Sequence, residues 1–218
     1  KEALKLLFKS VLLPEAEAAK RESQAFARLA VSDVSRNLVG IFFAQQESKK
    51  LPVELQEDQG VKMIGVLGAG VMGAGIAQAA SRAGFRVVLK DVNEEFLARG
   101  RQTINQLFDS LVSKRKMTRP EVEAMVNAIV FTTDYAPLAA CDLVIEAVLE
   151  DLEVKKKVLA ELEQVNAGNF IFGSNTSSLS IAKMAAAARV PGNVVGIHFF
   201  NPVHKMPLVE IVRAPVTS

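Results

Sequence analysis

Hydrophobic positions follow two rhythms along the chain, and the change between them falls near residue 60. Before it the spacing is helical. Pro14 suits the first position of a helix running toward Leu29, because the N–H it lacks would go unsatisfied there anyway. Ser32 reads as an N-cap with Asp33 just behind it, where a carboxylate meets the positive end of the helix dipole. Val34, Leu38, Ile41 and Phe42 then recur at three- and four-residue spacing and form one apolar stripe. Such a stripe predicts a helix that docks on a neighbouring domain or partner. The stretch 47–60 (ESKKLPVELQEDQG) is polar and proline-punctuated, the composition of a linker.

From Val61 short apolar runs take over, at 62–67, 86–90, 129–132, 142–147, 170–172 and 194–199. Amphipathic stretches lie between them, at 71–83, 94–114, 121–127, 152–164 and 181–188. Apolar strands alternating with amphipathic helices specify a parallel sheet covered on both faces. The predicted architecture is therefore α/β: a doubly wound, mainly parallel sheet over 60–218, preceded by a helical appendage over 1–59. The helix from Glu94 is long enough to project from the sheet, and Pro120 limits its extent.

Composition narrows the function classes. Apolar residues make up 50% of the chain and charged ones 23%, a globular balance, and the net charge of +2 gives no strong field toward nucleic acid or a membrane surface. Neither a membrane-spanning apolar run nor a leader-like start is present, which predicts a soluble protein of the cell interior. Cys141 is the single cysteine, so no internal disulfide or cysteine-rich metal cluster can form, and its apolar neighbours predict a buried small hydrophobe. The chain starts at Lys1 within helical sequence and stops soon after a strand, as expected of a piece of something longer.

The chemistry begins at Gly68-Ala-Gly70-Val-Met-Gly73. A lone G-x-G-x-x-G is weak, but this one follows an apolar strand and opens a helix, the arrangement of a Rossmann-type dinucleotide site. Gly68 permits the tight turn, Gly70 lets backbone approach a pyrophosphate, and Gly73 allows close helix–strand packing. The helix N-terminus offers free N–H groups and a positive dipole to the anion. Asp91, 18 residues past Gly73, stands where a carboxylate would bond the adenosine ribose and repel a 2′-phosphate. NAD is thereby favoured over NADP, with the basic neighbours Lys90 and Arg86 leaving the alternative open.

Only two histidines exist. His198 ends an apolar run, at the carboxyl strand edge where open α/β sheets bind ligands. A further strand-like run covers 208–212, and positions 198 and 210 are equidistant from 204. A chain folding back there would set Glu210 beside His198, fixing the imidazole tautomer and stabilising its protonated form. The alternative is a strand-end histidine and an exposed glutamate. His204, between two prolines, reads as a solvated turn residue. The cluster 174–178 (SNTSS) reads either as a helix cap or as donors to a substrate carbonyl. Glu146 and Glu150 read either as cofactor contacts or as helix-start charges, and most of Lys155, Lys156 and Lys157 as solvated surface.

Taken together, Gly68-Ala-Gly-Val-Met-Gly-Ala-Gly-Ile-Ala, Glu146-Ala-Val-Leu-Glu150, Ser174-Asn-Thr-Ser-Ser and His198-Phe-Phe-Asn-Pro-Val resemble the 3-hydroxyacyl-CoA dehydrogenases over 62–218. The stretch 21–50 resembles the tail of the enoyl-CoA hydratase part of multifunctional β-oxidation α subunits. The resemblance implies NAD-dependent oxidation of L-3-hydroxyacyl-CoA to 3-ketoacyl-CoA in fatty-acid metabolism, in a bacterial cytoplasm. It implies His198 as catalytic base and Glu210 as its carboxylate, with Ser177 and Asn201 at the substrate oxygen or the nicotinamide end. Asp91 matches the ribose ligand, and Met72, Val148, Leu149, Glu150 and Lys155 match positions lining the cofactor. Lys114 aligns loosely with a CoA contact. The partners implied are upstream hydratase-like and downstream helical domains, a thiolase subunit and further copies of the chain. The hydratase motifs are missing upstream and the closing helical domain is missing after Ser218. An isolated NAD-binding module, inactive alone, is thus the alternative.

Overall fold

Seven strands lie side by side in one sheet in a computed structural model of the protein. The structure describes residues 2–48, 60–166 and 168–218. By chain contacts it falls into two units, Lys1–Glu57 and Asp58–Ser218.

The first unit is helical: α1 (Glu2–Ser10), α2 (Glu15–Ala30) and α3 (Asp33–Ser48). Pro14 is the N-cap of α2, one position before the helical residue predicted for it. Ser32 caps α3 as expected, its Oγ accepting the Ser35 N–H at 3.2 Å. Arg21 bonds Glu17 at 3.0 Å and reaches the Lys9 carbonyl at 3.4 Å, joining α2 to α1. The stripe Val34, Leu38, Ile41 and Phe42 is exposed at 68%, 61%, 55% and 55%. The docking predicted for it has no counterpart inside this unit. Most of the predicted linker, 49–59, lies outside the described residues.

The second unit is the sheet with its helices. In chain order it runs β1 (Met63–Leu67), α4 (Val71–Arg82), β2 (Arg86–Lys90), α5 (Glu94–Ser113), α6 (Arg119–Asn127), β3 (Ile129–Thr132), β4 (Leu143–Glu146), α7 (Leu152–Asn166), β5 (Ile171–Ser174), α8 (Ile181–Ala185), β6 (Val194–Phe199) and β7 (Val209–Arg213). Short 3₁₀ turns at Ala136–Ala140 and Pro191–Asn193 carry no apolar periodicity and are not foreseen by it. The strands stand in the order β3-β2-β1-β4-β5-β6-β7; β1 to β6 are parallel, and among the described residues only β7 runs antiparallel, against β6. Parallel strands need helical crossovers, and these cover both faces. Ile64 and Val66 of β1 join one apolar cluster with Ile76, Leu97, Ile104 and Phe108. Leu67 faces the other way, into a cluster with Leu159, Leu162, Phe172 and Met184.

Helix α5 starts at Asn93, whose Oδ1 accepts the Phe96 N–H at 2.9 Å, with Glu94 and Glu95 in its first turn. It does not project from the sheet. Leu97, Ile104 and Phe108 are buried at 3%, 0% and 0%, so the 20-residue helix packs over most of its length. Its apolar positions recur every three or four residues, and burying that face outweighs the exposure its length suggested. Cys141 is buried as expected, which pushes its thiol up to about 11. Among the described residues no helix is long and apolar enough to cross a membrane.

Candidate active site

The carboxyl ends of β1, β2, β4, β5 and β6 open on one cleft, and every cluster of motif residues sits along it. At its first part the turn after β1 is set by Gly68, whose φ of 95° lies in the left-handed region that glycine adopts without steric cost. A β-carbon at Gly73 would stand 1.7 Å from the Gly68 carbonyl oxygen, so only glycine lets α4 begin this close to the turn. At Gly70 an added β-carbon would meet nothing within 4 Å. The three glycines thus have different jobs: conformation, close packing, and an open cradle at the start of α4. The empty side of Gly70 fits a pyrophosphate.

Asp91, just past β2, holds this turn from beside it. Its Oδ2 accepts the Ala69 N–H at 2.5 Å and its Oδ1 the Val92 N–H at 2.6 Å. The predicted ribose ligand therefore also positions the loop. Neither basic neighbour competes with it. Lys90 is buried with its ammonium 4.2 Å from the Tyr135 ring centroid, and Arg86 begins β2 at the opposite end of the strand. A cavity of about 600 Å³ is lined by Gly68, Gly70, Asp91, Arg99, Val148 and Leu149, with room for an adenosine beside the Asp91 carboxylate.

A second cavity of about 320 Å³ shares Ala147 and Val148 with the first, and Met72, Glu150, Lys155, Ser177, His198 and Asn201 line it. His198 enters from the end of β6. The antiparallel register sets His198 opposite Glu210 on β7, and the imidazole Nδ1 lies 2.8 Å from Glu210 Oε2. Of the two readings left open by sequence, the fold realises the pair. With Nδ1 so engaged, Nε2 has no hydrogen-bond partner among the described residues. The histidine side chain is 18% exposed, and Phe200 packs at 4.6 Å between ring centroids.

The polar cluster after β5 divides its labour. Thr176 Oγ1 accepts the Leu179 N–H at 2.9 Å, and Ser180 accepts from Lys183 at 3.4 Å as the N-cap of α8. Ser177 is left exposed at the cavity wall. Asn175, which sequence reasoning did not single out, accepts the Phe199 N–H at 2.8 Å and ties the end of β6 to that of β5. Its place in a polar run at a strand end was the available signal.

Below this wall lies an ion network that sequence reading missed. Lys155, in a run of three lysines, is only 1% exposed. Its ammonium lies 2.8 Å from both oxygens of Glu146 and 3.2 Å from Glu150 Oε2. Glu146, fully buried, also accepts from the Ser174 hydroxyl and from the Val148 N–H at 3.3 Å, so it is neither a cofactor contact nor a helix-start charge. Burial pushes Glu146 above the usual carboxylate range, with Lys155 and Ser174 opposing. Glu150 is partly desolvated, but hydrogen bonds from Thr176 and Lys155 outweigh that and hold it below the usual range. One position implied by the resemblance, Lys114, lies elsewhere, and so does His204, read from sequence as a solvated turn residue. Lys114 is exposed at the end of α5 and lines neither cavity. His204 lines a separate cavity with Arg82 and Lys205.

Known proteins share these features. Residues 63–218 match the family model described as 3-hydroxyacyl-CoA dehydrogenase, NAD binding domain. A fatty acid oxidation complex subunit alpha of Pseudomonas putida is 40% identical over the whole of this chain, which spans 30% of that protein's length. Two solved structures superpose on 73% of the chain. One is (S)-3-hydroxybutyryl-CoA dehydrogenase from Ralstonia eutropha, with a TM-score of 0.71, 39% identity and 56% of its own chain covered. The other is 3-hydroxybutyryl-CoA dehydrogenase from Escherichia coli, with a TM-score of 0.70, 42% identity and 34% covered. Motif, sheet order and match agree: the chain belongs to the 3-hydroxyacyl-CoA dehydrogenase NAD-binding-domain family.

Proposed function

We propose that this chain is the NAD-holding and proton-accepting part of an enzyme that oxidises L-3-hydroxyacyl-CoA to 3-ketoacyl-CoA. The observation that carries the reading is the His198–Glu210 pair in the cavity next to the glycine cradle. NAD, when bound, supplies the acceptor for the hydrogen leaving the substrate carbon. The chain's residues do the rest. His198 Nε2 takes the hydroxyl proton, and Glu210, 2.8 Å from Nδ1, steadies the imidazolium that results. Ser177 and Asn201, on the same wall, orient the substrate oxygen. The turn that Gly68 and Gly73 allow receives the pyrophosphate at the open side of Gly70, Asp91 holds the ribose, and Met72, Val148, Leu149, Glu150 and Lys155 line the cofactor's path.

The names of the relatives, fatty acid oxidation complex subunits alpha of Pseudomonas species, support a place in bacterial fatty-acid oxidation, and a cytoplasmic setting belongs to the same proposal. In that setting α1–α3 are the tail of an upstream hydratase-like domain, which covers the stripe on α3. A downstream helical domain closes the cleft, with Lys114 toward the CoA portion, and a thiolase subunit and further copies of the chain are the other partners. A second reading is favoured by the exposure of Leu208, Ile211 and Val212 at 49%, 62% and 46% beside the site. An uncovered site excludes water poorly, so this chain alone would then bind cofactor without turning it over. Mixing the chain with NADH and acetoacetyl-CoA decides between them. Consumption of NADH is the expected result; NADH binding with no consumption makes it a binding module.

The cofactor assignment has its own test. Exchanging Asp91 for asparagine removes a charged acceptor and the charge that repels a 2′-phosphate. NAD affinity is expected to fall about tenfold to a hundredfold, and the gap between NAD and NADP to narrow. An undiminished preference for NAD in titrations of both nucleotides would take Asp91 out of cofactor choice.

A further inference from the structure

Two carboxylates share one ammonium beneath the nicotinamide end of the cleft, and the sharing is unequal. Lys155 meets Glu146 through both oxygens at 2.8 Å but Glu150 through one, at 3.2 Å. Glu146 is fully buried and Lys155 1% exposed, whereas the Glu150 side chain is 43% exposed and lines the cavity. The other groups on Glu150 are neutral, the Thr176 hydroxyl at 2.5 Å and the Ser177 N–H at 3.2 Å. Of the other charges nearby, Lys156 of α7 pairs with Glu153 at 2.8 Å, and Asp151, just before α7, turns its carboxylate to the helix start, accepting the Glu153 N–H at 2.9 Å and the Val154 N–H at 3.0 Å. A buried ammonium demands a partner, and Glu146 supplies it from the side away from solvent.

We propose that Glu146 is a positioning residue that neutralises Lys155 from behind, so that the triad's remaining negative charge, on Glu150, faces the cofactor and favours the cationic oxidised nicotinamide over the neutral reduced ring. This rests on the reading of the cleft as an NAD site. Lys155 has two jobs: it anchors Glu150, and through it the Ser177 backbone, while its own charge is cancelled before it reaches the cleft. Without Glu146 the same ammonium would cancel Glu150 instead, and the site would lose its discrimination between redox states.

The test is a charge cycle read in binding, with NAD⁺ affinity measured by calorimetry and NADH affinity by its fluorescence. Glu146→Gln leaves one ammonium against one carboxylate, so preference for NADH over NAD⁺ should rise about fivefold to tenfold. Glu150→Gln, at an exposed position, should shift the ratio the same way. Glu146→Gln combined with Lys155→Met restores the lone negative charge, and the ratio should return to that of the unaltered chain. Should Glu146→Gln fail to fold by circular dichroism, the other two variants still make opposite predictions. A merely structural role would weaken both nucleotides equally in every variant, and that result overturns the proposal. An unaltered chain that binds neither nucleotide would refute the cofactor reading itself.

Discussion

Replacing His198 with glutamine is expected to lower turnover by about 10²–10⁴-fold, the usual contribution of a positioned general base. Glutamine keeps a donor that can reach Glu210 but cannot accept a proton at neutral pH. The cradle glycines Gly68 and Gly70 line the other cavity, so NADH binding should stay near that of the unaltered protein. The pair's geometry makes the effect specific. With Nδ1 held at 2.8 Å by Glu210, the imidazole has one nitrogen left to offer, and it belongs to a residue that lines the cavity. The measurement is kcat for acetoacetyl-CoA reduction beside an NADH titration on the same sample, using the longest form of the protein that turns over. Retained turnover would remove His198 from the mechanism. Lost NADH binding would mean that the variant had disturbed the cleft rather than the chemistry.

The second large effect is expected at Gly73. Helix propensity alone would make alanine stabilising there by about 1 kcal/mol. The contact decides otherwise, because the new β-carbon would lie 1.7 Å from the Gly68 carbonyl oxygen, a backbone atom that cannot rotate away. Either α4 shifts or the turn opens. Overpacking of this kind costs about 1–3 kcal/mol, and here it also displaces the N–H groups that would meet the phosphates. Gly73→Ala should therefore lower both the melting temperature and NAD affinity, the latter by about a hundredfold, or 2.7 kcal/mol. Gly70→Ala separates the two effects. Its methyl group meets no protein atom within 4 Å, so the fold should keep its melting temperature while nucleotide binding weakens. Equal melting temperatures for Gly73→Ala and the unaltered chain would show that the close approach of α4 to the turn does not limit stability.

What could be read from sequence was whatever is written in neighbouring residues. The strands of the sheet are local apolar runs, and the cradle is a local glycine pattern with a strand before it and a helix after it. Even the His198–Glu210 pairing was legible, because a chain turning back on itself makes opposite positions equidistant from the turn. The network under the site was not. Lys155 stands among three lysines that look alike in sequence, and only the phase of α7 against β4 and β5 puts one of them at 1% exposure while Lys157 keeps a side chain 77% exposed. Glu146 was ambiguous for the same reason: at a strand end, one residue decides between the rim and the interior. Asn175 and the packing of α5 likewise depend on which elements become neighbours in space.

The antiparallel β7 has a consequence beyond geometry. It is the last strand of the sheet, all five of its residues are exposed, and among the described residues its ladder partner is β6 alone. Edge segments of this kind open before the interior does. His198, the proposed proton acceptor, thus sits on an inner strand while Glu210, its proposed partner in the reaction, rides on an edge strand. Whatever settles against β7 lengthens the fraction of time for which Glu210 holds the imidazole. Under the proposed mechanism, reactivity at His198 is in this way tied to the breathing of the sheet's margin.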